Sequence, residues 1–260
     1  MRANTIGLIA GAIGVAAVTG SANAGLEIGD TITVSRVGSS PSRLVAVNYD
    51  GARAWDAAGV VGGNNAQAGV NNFNHTLTNG SAAFGTIQAF CVEIGEAFPD
   101  NPIQYTMTAP TSVPEETPPG NMTANQSQMM QDLYSRYYSD VINSDDDTSW
   151  GNASDEAAAF QLVIWEISHE NFSDTSDLAS MKSELNITLG ALVVTDTFSN
   201  DVLTTATTMI DSLGSGGWNN YGALLGATNA TNQDLLIVVP SPAIAALAGL
   251  GLVGMRRRRR

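Results

Sequence analysis

The helix at the centre of this chain is encoded by residues 155–167, DEAAAFQLVIWEI, which are apolar on nearly every helical face. Ser154 precedes the stretch as a candidate N-cap, and Asp155 and Glu156 occupy the first turn, where carboxylates favour the positive end of the helix dipole. A helix that is apolar all round is normally buried by other elements. We therefore expect this helix to form the core of the domain.

Two further helices are predicted on either side of the core helix. One carries an apolar and aromatic stripe at i, i+3, i+4 and i+7 spacing and spans about three turns. The other runs from Asp201 to Leu213 and stops at Gly214. The stripe of the first helix consists of Met130, Leu133, Tyr134, Tyr137, Tyr138 and Val141.

Strands are predicted before and after the helices, where apolar and polar residues alternate. The Asn/Gly-rich stretch Gly62 to Gly80 predicts a long loop, and the proline-rich stretch Ala109 to Gly120 predicts a linker. Strands, then helices, then strands indicate an α+β domain: a mainly antiparallel β-sheet or sandwich with an inserted helical region. The predicted strands are Leu26 to Val37, Leu44 to Tyr49, Phe84 to Ile94, Leu192 to Thr197 and Leu235 to Val239.

The first 24 residues have the pattern of a secretory signal peptide. Arg2 is followed by an apolar run from Ile6 to Val18 and by the small residues Ala22-Asn23-Ala24, so we expect cleavage after Ala24. The apolar run is too short for a helix that crosses roughly 30 Å of hydrocarbon. Export through the Sec machinery is therefore expected, with residues 25–238 as the exported domain.

Residues 239–260 have the pattern of a sorting tail. Pro240-Ser241-Pro242 precedes an apolar stretch from Ala243 to Met255, and five arginines, Arg256 to Arg260, follow. Arginines that cannot cross the membrane stop translocation and remain cytoplasmic. A plain tail anchor is an alternative, whereas a nucleic-acid patch is disfavoured because the arginines directly follow an apolar segment.

Together these tail features resemble the PEP-CTERM sorting signal of Gram-negative bacteria, with Ser241 in place of the usual glutamate. The resemblance implies a membrane protease partner, an exosortase, that cuts near the proline motif. It also implies transient anchoring in the inner membrane by the tail, here a transmembrane helix, and a final location at the cell surface or in the extracellular matrix.

The charge of the processed chain is strongly negative. Six of the 11 basic residues are Arg2 and the terminal arginines, so five remain against 25 acidic residues, which gives a net charge of −20. Such a surface repels nucleic acid and anionic lipid, and it favours solubility, cations or a salty medium.

Cys91 is the only cysteine, so this exported chain has no internal disulfide framework. The thiol could be buried and inert, could form an intermolecular disulfide, or could be used chemically. Gln161 lies on the face of the core helix that also carries Ala157, Ala158 and Trp165. A buried amide needs partners, so Gln161 could either hydrogen-bond a nearby strand edge or take part in chemistry.

The segments Phe90-Cys91-Val92-Glu93 and Phe160-Gln161-Leu162-Val163-Ile164-Trp165-Glu166 together resemble bacterial surface thioester domains, although Phe160 stands where many members have threonine. The resemblance implies a thioester between Cys91 and Gln161 that bonds covalently to an amine-bearing surface or matrix ligand. Bulky apolar side chains close in sequence, Phe90, Phe160 and Trp165, are expected to shield the bond from water.

Three function classes follow, and we expect an attachment protein rather than an enzyme. The alternatives are a noncovalent module that binds polysaccharide or biofilm matrix, and a secreted hydrolase that uses Cys91 with His169. His75, the other histidine, has no assigned role. Asp145-Asp146-Asp147 lack the alternating spacing of a calcium loop, so a solvated acidic loop is favoured over Ca²⁺ binding. No cofactor or metal is expected.

Overall fold

The computed structural model describes residues 26–49, 65–77, 86–94, 96, 102–115, 119–143, 153–197 and 199–239. All of them belong to one compact unit, Leu26–Ser241. The signal-peptide residues Ala22 and Ala24, the motif Pro240-Ser241-Pro242 and the acidic run Asp145 to Asp147 lie outside the described residues.

The described residues form seven strands and four α-helices. The strands are β1 Thr31–Tyr49, β2 Asn65–Leu77, β3 Thr86–Cys91, β4 Ile103–Thr108, β5 Leu192–Asp196, β6 Leu224–Thr228 and β7 Leu235–Val238. The helices are α1 Ala124–Asn143, α2 Ala153–His169, α3 Leu178–Glu184 and α4 Asn200–Ser212, and a short 3-10 turn spans Pro110–Ser112.

All seven strands belong to one antiparallel sheet with the order β2-β3-β7-β6-β4-β1-β5, in which β1 also pairs with β2. Six strands therefore form a closed circuit, and β5 lies beside the second half of β1. The predicted α+β class with mainly antiparallel strands is confirmed.

The long strand β1 closes this circuit because it pairs with β2 from Ile32 to Ala46 and has other partners at its two ends. Its first residues also pair with β4, and its last residues, near Tyr49, pair with β5. The register with β2 shifts between Arg36 and Gly38 and again between Ser39 and Ser42. Such irregularities bend a strand, which allows one strand to serve two parts of the sheet.

The prediction that α2 is the core helix is confirmed, because every residue of the helix except Ser154 is buried. An ion pair between Arg43 on β1 and Asp155 ties the start of α2 to the sheet. The helix begins at Ala153, so Ser154 lies in its first turn and the prediction that Ser154 is the N-cap is wrong.

The predicted loop from Gly62 to Gly80 is wrong, because most of it is strand β2. This strand pairs with β1 along nearly its full length and with β3. Several of its buried positions are small or polar, among them Ala66, Ala68 and Asn71, so its alternation of apolar and polar residues is faint although Val70 and Phe73 are also buried. Sheet pairing has overridden the low strand propensity of asparagine and glycine here.

Several other elements differ in extent from the predictions. Helix α1 has 20 residues instead of about three turns, and α3, β4 and β6 were not predicted. Among the residues that the structure describes, no helix combines the length and apolar character needed to cross a membrane.

Candidate functional site

Helix α2 lays the side chain of Gln161 against the backbone of Cys91 at the end of β3. The Cys91 N–H donates to Gln161 Oε1 at 3.0 Å, and Gln161 Nε2 donates to the Cys91 carbonyl oxygen at 2.7 Å. Both residues are buried: 2% of Cys91 is exposed, and 0% of Gln161. The structure therefore brings together two residues that are 70 positions apart in the chain.

The N–H and the carbonyl oxygen of Cys91 can bind Gln161 because the pairing of β2 with β3 stops before Cys91. Strand β2 pairs with β3 only as far as Asn71 opposite Ala89, although β7 pairs with Cys91 on the other side. At Gly69 the chain of β2 has φ 146°, and a Cβ there would clash with Pro41 and Ser42 of β1. The Gln161 amide thus fills the place that the next rungs of the β2 ladder would have occupied.

The thiol of Cys91 has its own polar partner, which comes from β2. Asn71 Nδ2 lies 3.2 Å from Cys91 Sγ, and Asn71 Oδ1 accepts a hydrogen bond from Ser39 Oγ at 2.6 Å. Ser39 Oγ in turn accepts from Arg36 Nη2 at 2.8 Å. A hydrogen-bonded chain therefore runs from an exposed arginine to the buried sulfur.

Asn71 is a site residue that the sequence analysis missed. It lies in the stretch that predicted a loop, so no partner could be assigned to it. In the structure Asn71, Phe73 and His75 are buried and alternate with more exposed positions, but in the sequence only Phe73 marks this face as a buried one. A buried asparagine on a strand is uncommon enough to prompt a search for its partners.

Burial is the dominant influence on the thiol. It raises the pKa of Cys91 well above its ordinary value, while the positive charge of Arg36 and the hydrogen bond from Asn71 act in the opposite direction. The sulfur is therefore a neutral thiol near pH 7. As a free group it is a poor nucleophile and resists oxidation.

The aromatic residues predicted as a shield are buried, and two of them are in contact. The rings of Phe90 and Phe160 have centroids 4.8 Å apart, and Tyr134 of α1 lies 5.0 Å from Phe160 in an edge arrangement. Tyr138 stacks on Tyr134 at 5.5 Å. These rings form an apolar wall beside the segments that carry Cys91 and Gln161, with Tyr134 and Tyr138 as members that the sequence analysis did not assign to it.

Trp165 lies one helical turn after Gln161 and is also buried, at 1% exposure. Capture of an amine requires a path from solvent to the Cys91–Gln161 pair. The exposed fractions of Cys91 and Gln161 give no such path in this structure. An amine would reach the pair only when the surrounding residues move apart.

His169 has contacts other than Cys91. Its Nδ1 lies 2.8 Å from Ser168 Oγ and 3.1 Å from the carbonyl oxygen of Trp165, and its ring packs edge-on against Tyr49 at 4.9 Å. Burial lowers the pKa of His169 to about 3, so the imidazole is neutral. Ser168 Oγ also donates to the carbonyl oxygen of Val92 at 3.1 Å, which ties this end of α2 to the chain after β3.

Within the described ranges, no group of three or more histidine, cysteine or acidic side chains could hold a metal ion. His75 lies on β2 and is buried.

Comparisons of the chain with protein-family models, with curated proteins and with solved structures found no match.

Proposed function

We propose that this chain is an exported, cell-surface-sorted attachment or matrix protein that forms a thioester between Cys91 and Gln161 and uses it to bond amines covalently. An exosortase-type protease would process the tail, and a surface or matrix ligand would supply the amine. The observation that carries the proposal is the docking of the Gln161 amide on the backbone of the residue whose thiol would attack it.

The hydrogen bonds hold the amide in an orientation that suits acyl transfer. Because the amide donates and accepts in its own plane, it lies roughly in the plane of the sheet hydrogen bonds. Side chains stand roughly perpendicular to that plane, and a nucleophile attacks a carbonyl carbon from above or below its plane. The Cys91 N–H, 3.0 Å from Oε1, would also stabilise negative charge on that oxygen during attack.

The bond-forming step balances without an outside oxidant or cofactor. The Sγ–Cδ bond forms, the Cδ–Nε2 bond breaks, and the thiol proton leaves with the nitrogen as ammonia. Loss of Nε2 also removes its hydrogen bond to the Cys91 carbonyl oxygen. In the capture step, an amine forms a C–N bond to Cδ, the Cδ–Sγ bond breaks, and one amine proton returns to the sulfur.

The same contacts also favour a second candidate, a noncovalent module that binds polysaccharide or biofilm matrix. In that case Gln161 is a structural residue that satisfies two buried backbone groups where β2 leaves β3. The bonds that both polar atoms of its amide make and the 0% exposure of its side chain are what such a role requires. Under this alternative, Cys91 is a buried thiol and the ligand binds elsewhere.

Intact mass of the purified domain decides between the two candidates. We expect the wild-type domain to be about 17 Da lighter than its sequence mass, because ammonia is lost, and to have no titratable thiol. Cys91→Ala should have its full sequence mass. Incubation with methylamine should restore the thiol and add the amine to Gln161, as peptide mapping would show.

The matched control is Asn72→Leu, at a position of β2 that lies next to Asn71. The side chain of Asn72 donates to the Ser40 carbonyl oxygen. This variant should show the same mass deficit as the wild type. A full-mass wild-type domain with one reactive thiol would refute the thioester and leave the noncovalent module as the better account.

The sorting half of the proposal is tested on cells. We expect the mature surface form to lack both Met1 to Ala24 and the arginines Arg256 to Arg260, because signal peptidase and an exosortase-type protease would remove them. Peptide mapping of surface material checks both ends. Recovery of the terminal arginines in that material would contradict the processing of the tail.

A further inference from the structure

We propose that Asn71 is a positioning residue for this chemistry: it holds the Cys91 sulfur in place and stabilises it as a thiolate when an amine displaces it from Gln161. This inference rests on the proposed function. It is carried by the hydrogen-bonded chain from Arg36 through Ser39 and Asn71 to Cys91.

The chain fixes which end of the Asn71 amide faces the sulfur. A guanidinium group is only a donor, so Ser39 Oγ must accept the bond from Arg36. The single proton of the Ser39 hydroxyl is then free to point to Asn71 Oδ1, 2.6 Å away. Asn71 must therefore present its NH₂ group to Cys91 Sγ, which acts as the acceptor.

A hydrogen bond that sulfur accepts is strongest when the sulfur carries a negative charge. A neutral thiol is a weak acceptor, whereas hydrogen bonds to a charged partner are roughly twice as strong as those between neutral groups. The Asn71 N–H therefore stabilises the departing thiolate more than it stabilises the resting thiol or thioester. This difference between states is the property that accelerates a reaction.

Burial makes this donor effective. Asn71 is 2% exposed, so water does not compete with its N–H for the sulfur. Ser39 is half-buried and Arg36 is exposed, so the chain connects the buried sulfur to a positive charge at the surface. Ser39 also lies directly opposite Asn71 in the pairing of β1 with β2, which prevents the amide from swinging away.

Asn71→Leu tests the proposal, because leucine has the same branched arrangement of heavy atoms as asparagine but cannot donate to sulfur. Loss of one comparable donor at an oxyanion costs about 10²–10³ in rate, and sulfur is a weaker acceptor, so we expect methylamine to react at least about tenfold more slowly. The thioester should still form, with its mass deficit. Ser39→Ala, which removes only the bond that orients Asn71, should give a smaller slowing.

Asn72→Leu is the matched control and should react at the wild-type rate. Wild-type rates in both Asn71→Leu and Ser39→Ala would overturn the proposal, and Ser39→Ala decides it alone if Asn71→Leu fails to fold.

A full-mass wild-type domain would refute the thioester, and the effect of Asn71 on the sulfur is then measured on the free thiol. Alkylation of the free Cys91 thiol by iodoacetamide between pH 7 and pH 10 then reports thiolate formation. Asn71→Leu should be alkylated at least about threefold more slowly than Asn72→Leu at each pH, since the thiolate has lost its donor. Equal alkylation profiles would show that Asn71 does not act on the sulfur.

Discussion

Removing the Gln161 amide should lower the free energy of unfolding by about 2–5 kcal/mol, because a buried N–H and a buried C=O of Cys91 lose their partners at once. The comparison is made in a Cys91→Ala background, in which no thioester can form and the backbone at position 91 is unchanged. Methionine replaces Gln161, since it fills a similar volume without donating or accepting strongly. Urea denaturation of the single and double variants gives the difference.

The control for that difference is Gln131→Met, at a half-exposed position on α1. It should change the free energy of unfolding by less than about 0.5 kcal/mol, as surface substitutions usually do. If Gln161→Met were equally harmless, the Gln161 amide would not be stabilising the end of β3. Both the covalent and the noncovalent interpretation of the site would then lose their structural basis.

Asp132→Ala should be the second large loss, about 2–5 kcal/mol, because two backbone N–H groups and Arg136 lose the acceptor that they share. The Asp132 carboxylate is 0% exposed and accepts from the backbone N–H groups of Gly214 at 2.7 Å and Asn219 at 2.9 Å, and from Arg136 Nε at 2.8 Å. It thereby fixes the turn after α4 against α1. Ser135→Ala, at an exposed position of the same helix, is the control and should be nearly neutral.

The stability that Asp132→Ala loses relative to the wild type should become smaller as pH falls. Burial alone would raise the pKa of Asp132, but the hydrogen bonds from Arg136, Gly214 and Asn219 outweigh it and hold the pKa below its ordinary value. The contribution of Asp132 is therefore complete above the ordinary pKa of about 4 and is lost as pH falls through the lowered value. Melting temperatures of the wild type and Asp132→Ala should converge in acid, and a gap that widened there would contradict this account.

Sequence patterns predicted the centre of the fold well and its sheet poorly. Helix α2 was predictable because its apolar residues leave no polar face, and a helix makes its hydrogen bonds within one segment. Strands need partners from distant segments, and the composition of β2 does not indicate which strands it pairs with. The pairing of β1 with β2, β4 and β5 depends on irregularities around Ser39, which no periodicity reveals.

The candidate site was predictable only in part, because some of its residues are marked by local sequence patterns and others only by their position in the sheet. Cys91 and Gln161 could be singled out because one is a lone cysteine and the other an amide on an apolar face. Asn71 could not, because its importance comes only from a sheet that places β2 beside β3. The contact of Tyr134 with Phe160 likewise follows from the packing of α1 on α2, which local patterns do not specify.

The position of β7 has a mechanical consequence. The strand runs between β3 and β6 and pairs with both, and Leu235 lies opposite Cys91. A pulling force that enters the fold at Val239 loads the pairing of β7 with β6 first, at Ala223 and Leu224, and then the rungs between β7 and β3. Tension from that side reaches Cys91, the residue that holds Gln161, before it reaches β1 or β5. Under the proposed function, a partner bonded at Gln161 would therefore be joined to the end of β7 through a few rungs of sheet.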